Sequence, residues 1–128
     1  MGDARLLYEF SEDRSNITPE FLANVHPGNI LRLDYLPRLG VTEYRFAKKL
    51  GITQSHLAEL LATKRGVTAN LSLRLGKLLG HPPGYWLHIQ SQYELLKAYL
   101  EYGEAIDRVE PLQWTHDPEF SADDVPAA

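Results

Sequence analysis

Between residues 27 and 102 the apolar positions return every three or four residues, the repeat of a helix face, in five runs divided by glycine, proline and threonine. The first run is Ile30, Leu31, Tyr35 and Leu36. It opens at Pro27, where a missing N–H is harmless, and Pro37 and Gly40 close it. Thr42 is placed to cap a second helix over 43–50, with Phe46, Ala47 and Leu50 inward and Gly51 as its left-handed end. Thr53 caps a third over 54–62, buried through Leu57, Leu60 and Leu61. After the basic loop "TKRGV", Thr68 opens a fourth helix to Leu79, with Leu71, Leu75, Leu78 and Leu79 inside. "GHPPGYW" breaks the chain before a fifth helix, roughly Pro83 to Tyr102, which Gly103 should stop. Its stripe is Trp86, Ile89, Tyr93, Leu96 and Leu100, with Leu87 and Leu95 to one side. That stripe is wide for a single neighbour, so its residues serve the core or a dimer contact.

Outside these runs the pattern fades. Residues 1–25, with the polar stretch "SEDRSNITPE", read as a flexible N-terminal arm, and 111–128 as an acidic tail. No segment alternates as a strand does. The expected fold is all-α, a five-helix domain over 26–110.

Helix 43–50, a glycine turn and helix 54–62 form a helix-turn-helix. Ala47 is small where two helices must cross closely, Gly51 turns, and Ile52, Leu57 and Leu60 pin the second helix to the first. The third helix then offers its first polar residues to a DNA major groove. Gln54 suits an adenine edge, Ser55 reads either base type, and Glu59 can accept from cytosine N4. Thr53, Arg45, Lys64, Arg65, Thr68 and Asn70 suit phosphates, which set register rather than sequence.

Net charge by itself opposes this reading, since the chain of 128 residues carries a formal −4. Its distribution removes the objection. Residues 27–80 hold nine Lys/Arg against three Asp/Glu, a local +6, while 1–26 carry −3 and 81–128 carry −7. At physiological salt the acidic ends are screened beyond about 8 Å. A basic middle between acidic ends implies two kinds of partner.

Other chemistry is poorly represented. With no cysteine there is no disulfide or thiolate metal site. None of His26, His56, His81, His88 and His116 pairs at i, i+4 with a supporting carboxylate, so no metal is expected. There is no nucleophile–base pairing and no phosphate-cradling glycine loop, hence no cofactor and no enzyme. No apolar run approaches the ~20 residues of a membrane span, and the start lacks a signal-peptide layout, so a cytoplasmic protein is expected.

Taken together, "HPGNILRLDYL", "TEYRFAKKLGIT", "LLATKRGVTANLSLRLGKLLG" and "PPGYWLHIQSQYEL" resemble HigA-type antitoxins of the Xre (lambda-repressor-like) family, over about residues 26–110. The resemblance implies a domain that dimerises, binds a palindromic operator, represses its own operon and neutralises a HigB-like toxin of the RelE type. It puts operator reading on Thr53, Gln54, Ser55 and Glu59, with Arg45, Lys64, Arg65 and Thr68 around them. Glu43 departs from the family, in which glutamine is common at that position and can touch phosphate. Two other readings stay open: an Xre regulator without a toxin, and an interaction module that has lost DNA binding.

Overall fold

The computed structural model describes residues 16–112, and among these it is helical throughout, without strands. The flexible arm expected over residues 1–15 and the acidic tail expected over 113–128 lie outside the described residues. The elements are α1 (Pro19–Asn24), α2 (Pro27–Ile30), a π-helical turn (Leu31–Tyr35), α3 (Leu36–Leu39), α4 (Glu43–Leu50), α5 (Gln54–Leu61), α6 (Ala69–Leu79) and α7 (Tyr85–Asp107). The stretch from α2 to α3 is one bent helix, so the five expected helices are all present, preceded by α1.

Threonine starts four of the helices. Thr18, Thr42, Thr53 and Thr68 each accept a hydrogen bond from the amide three residues on, satisfying a donor that the first turn leaves orphaned. The left-handed glycines Gly40, Gly51 and Gly80 end α3, α4 and α6. At Gly51 φ is +77°, a region that favours glycine, and a Cβ there would also push aside an Arg74 guanidinium nitrogen 2.6 Å away.

Four local expectations change. The segment 16–25 is ordered structure rather than loose arm: Thr18 caps α1, Pro19 sits in its first turn, and Ile17 is buried. Its polar composition hid a local cap and a single apolar anchor. Pro37 does not close the first helix but lies inside α3, after the π-helical turn. A proline ring clashes with the carbonyl four residues back, and widening the preceding turn moves that carbonyl aside. Finally, α7 runs through Gly103, which is buried within it, and ends at Asp107. Leu78, expected inside, is exposed, and Leu79 is only partly covered.

The core gathers Leu31, Phe46, Leu50, Leu57, Leu60, Leu71, Leu75, Trp86 and Ile89. Here α4 crosses α5, α6 lies against α4, and α7 packs along α6, α2 and α1. Trp86 is fully enclosed, its ring edge-on to Tyr35 and Tyr85, and its indole N–H donates to His81 Nδ1 at 3.1 Å. Leu96 is buried further along α7, and Tyr93 lies edge-on to His26. Trp86, Ile89 and Leu96 are thus core residues of a single chain.

His26 carries the start of α2. Its Nδ1 accepts from the Gly28 amide at 2.9 Å, so the ring must be neutral with its proton on Nε2. Burial, then Lys97, holds its pKa below 6.5. The unfolded chain binds this proton more readily, so the contribution is complete above pH 6.5 and is lost as pH falls toward the lowered folded value. Urea midpoints at pH 7.5 and 5.0 should therefore drop more for the parent than for His26→Asn, which keeps a capping oxygen and cannot titrate. Equal drops would contradict the assignment.

Candidate nucleic-acid interface

The helix-turn-helix is made by α4, the Gly51 turn and α5. Buried Ala47 allows the close crossing, and Ile52 packs partly under the turn. The first residues of α5 are left outside. Thr53, Gln54 and Ser55 are all exposed, and Thr53 Oγ1 accepts from the His56 amide at 3.0 Å. The other first-turn amides lack an intrahelical acceptor and, with the positive end of the helix dipole, suit an anion.

Ser55 and Glu59 stand four residues apart, hence on one face of α5. Glu59 Oε2 accepts from Arg65 Nε at 2.9 Å, with both side chains 47% exposed. An ion pair so open to water contributes little to stability. His56 sits beside it; burial first and then Arg65 hold its pKa below the usual histidine value, against the opposing pull of Glu59.

The loop after α5 is held at both ends. The Thr63 amide donates to Leu60 O and the Lys64 amide to Glu59 O, with Thr63 at φ 60°, a Schellman closure that normally uses glycine. A β-branched residue there stores about 1–2 kcal/mol of strain. At the far end the buried side chain of Gln90, on α7, accepts from the Val67 amide at 2.8 Å, and its own amide donates to Glu94. Lys64 and Arg65 are therefore presented by a clamped segment.

A second brace fixes the turn itself. Arg74, on α6, donates from Nη1 to Leu50 O at 2.9 Å and from Nε to Asn70 Oδ1 at 2.7 Å. A guanidinium there satisfies a carbonyl at the C-terminus of α4 and favours the dipole. Arg45, Lys48 and Lys49 lie along the exposed side of α4.

No protein-family profile matches the chain. Individual proteins do. Virulence-associated protein I of Dichelobacter nodosus is 38% identical over 74 residues, 58% of this chain and 68% of that protein. Antitoxin HigA-1 of Vibrio cholerae is 30% identical over 89 residues, 69% of this chain and 83% of the antitoxin. The structure of Pseudomonas aeruginosa antitoxin HigA with the higBA promoter superimposes with a TM-score of 0.64 at 31% identity, covering 68% of this chain and 96% of that one. The chain belongs to the HigA antitoxin family.

Another structure, antitoxin GraA in complex with its operator, is 33% identical with a TM-score of 0.63, covering 68% of this chain and 89% of that one. These relatives are antitoxins and helix-turn-helix regulators, not enzymes. In this HigA-family member the structure leaves Thr53, Gln54, Ser55, Arg45, Lys64 and Thr68 exposed and joins Glu59 to Arg65. Asn70, expected at phosphate, is also exposed; its side-chain oxygen accepts from Arg74 Nε, and its amide nitrogen remains a free donor among the described residues. Sequence reasoning missed Arg74, Gln90 and the capping role of His26. The helical offset of Asn70 from Arg74 and the position of His26 just ahead of Pro27 and Gly28 are local signals, whereas Gln90–Val67 and Arg74–Leu50 join residues brought together by packing.

Proposed function

We propose that the chain is the antitoxin of a HigBA-type module: it binds a palindromic operator as a dimer, represses its own operon and neutralises a HigB-like ribonuclease toxin in the cytoplasm. The carrying observation is the exposed start of α5 beside a clamped basic loop. In this reading α5 enters the major groove, Gln54 and Ser55 meet base edges, and Thr53, Arg45, Lys64, Thr68 and the free amide of Asn70 meet phosphates. Glu59 keeps its second oxygen for a cytosine amine. The higBA promoter held by Pseudomonas aeruginosa antitoxin HigA and the operator held by GraA support the same use of the fold.

The second copy meets the open side of α7. Leu95 and Tyr102 stand there seven residues apart, with Ile106 one turn further on, and all three are exposed. A two-fold pair places its reading helices one DNA turn apart, ~34 Å. The toxin reading follows from the HigA name of the relatives and from the −7 of residues 81–128, which suits a basic partner. No helix among the described residues is long and apolar enough to cross a membrane.

A mobility-shift titration with the protein's own promoter tests the DNA half. Gln54→Ala should weaken operator binding by ~1–3 kcal/mol and relax the preference at one base pair, leaving non-specific binding unchanged. Unchanged operator affinity would remove Gln54 from the reading surface. Co-expression with the neighbouring gene product, scored by co-purification and growth rescue, tests the toxin half.

A further inference from the structure

Lysine or arginine in a loop beside a reading helix would ordinarily be assigned to phosphate, which any Arg rotamer can reach. Arg65 is not free in that way. Its Nε–H is taken by Glu59 Oε2 at 2.9 Å, and Glu59 projects from the same face of α5 as Ser55. The guanidinium is thereby drawn from the loop toward the base-reading face. A planar guanidinium held by its Nε edge leaves its other edge, Nη1 and Nη2, as a fork of two parallel donors. Among the described residues neither nitrogen has another hydrogen bond.

Guanine presents N7 and O6 in the major groove as two acceptors at the spacing of that fork, and no other base does so. We infer that Arg65 is a guanine-reading residue, aimed at the base edge by Glu59, so that the pair specifies a G·C base pair in each half-site. This rests on the operator-binding reading above.

Three features make the aim steep enough to discriminate. The Lys64 amide is tied to Glu59 O, so the loop starts from the same residue that holds the guanidinium. Thr63 fixes the reversal of the chain at φ 60°. The Gln90 side chain holds Val67 two residues beyond Arg65. Both ends of the short span are set before DNA arrives, which limits the rotamer entropy lost on binding.

The test is fluorescence anisotropy with the promoter duplex upstream of the chain's own gene, scanned one guanine at a time with 7-deazaguanine, which lacks the N7 acceptor. The parent should lose about tenfold affinity at one guanine per half-site, the scale of a bidentate contact. Arg65→Lys and Glu59→Ala, each checked for an unchanged melting temperature, should bind that substituted duplex and the unmodified one alike. Arg65→Ala lowering affinity for every duplex by one factor, with a salt slope smaller by about two for the two copies, would show a phosphate contact and overturn the inference alone. A parent that binds none of these duplexes would overturn the operator reading as well.

Discussion

Gly28→Ala should unfold most of the molecule or leave it barely stable. The first turn of α2 runs so close to the end of α5 that a Cβ at Gly28 would lie 1.8 Å from the Leu60 carbonyl oxygen and 2.8 Å from its carbon. Both are backbone atoms of the reading helix and cannot swing away as a side chain would. Leu60 is itself fully buried, so the relief has to come from pushing α5 outward and opening the core around Phe46 and Leu57. Overpacking of this kind costs about 3 kcal/mol or more. In a domain of this size that is roughly 10–20 °C in melting temperature. Thermal unfolding followed by circular dichroism reads it, and a melting point within a few degrees of the parent would show that α2 and α5 are not in this contact. Whatever folded fraction remains should bind operator weakly, because the displaced helix is the one that enters the groove.

Trp86→Ala should be comparably severe, by about 3–5 kcal/mol. The indole is the largest fully buried side chain among the described residues, and it joins α7 to the bend before α3 through Tyr35 and to the 80–84 connection through His81. Its removal leaves a cavity at the root of the longest helix. It also strands His81 Nδ1, whose ring remains stacked on Tyr85 and 3.5 Å from the Tyr35 hydroxyl. Burial, then the Tyr85 hydroxyl, raises the Tyr35 pKa to about 12, so that hydroxyl keeps its proton, but it faces Nε2 of His81 and not the Nδ1 that the indole vacates. Trp86→Phe separates the two effects: it keeps most of the packing and loses the hydrogen bond, for about 1 kcal/mol plus the smaller ring. Denaturant midpoints of the three proteins should fall in the order parent, Phe, Ala. A Phe variant as weak as Ala would mean that the His81 bond, not the ring volume, holds α7.

Much of the fold was legible because its signals are local. Thr42, Thr53 and Thr68 at helix starts and Gly51 and Gly80 at helix ends are conformational requirements written in single residues, and the 3.6-residue recurrence of leucines set most of the inward faces. Where reading failed, two local rules competed or a remote contact decided. Pro37 reads as a stop, yet a widened turn ahead of it carries the helix on to Leu39. Gly103 reads as a terminator, but it is buried inside α7, a packing position rather than a turn. Thr18 and Ile17 lay in a stretch too polar to show a period, although one cap and one anchor suffice for six residues of helix.

The interface divides in the same way. The exposure of Thr53, Gln54 and Ser55 follows from the helix-turn-helix pattern alone. The Arg65–Glu59 pair spans six residues across a chain reversal that depends on Thr63 taking a glycine conformation. Arg74 and Gln90 brace the turn and the loop from distances of 24 and 23 residues along the chain. No periodicity reports such contacts. They explain how a chain of net −4 can hold a cationic surface: α6 braces the turn and α7 the loop that carries Lys64 and Arg65, while most acidic residues lie in 1–26 and 81–128.

The measurement closest to that claim is the salt dependence of binding to the promoter of the chain's own gene, against a scrambled duplex of equal length. If Arg45 and Lys64 of two copies neutralise phosphates, the logarithm of affinity should fall with the logarithm of salt at a slope of about −4, with the promoter preferred throughout. Equal affinity for the two duplexes, or none at low salt, would contradict it.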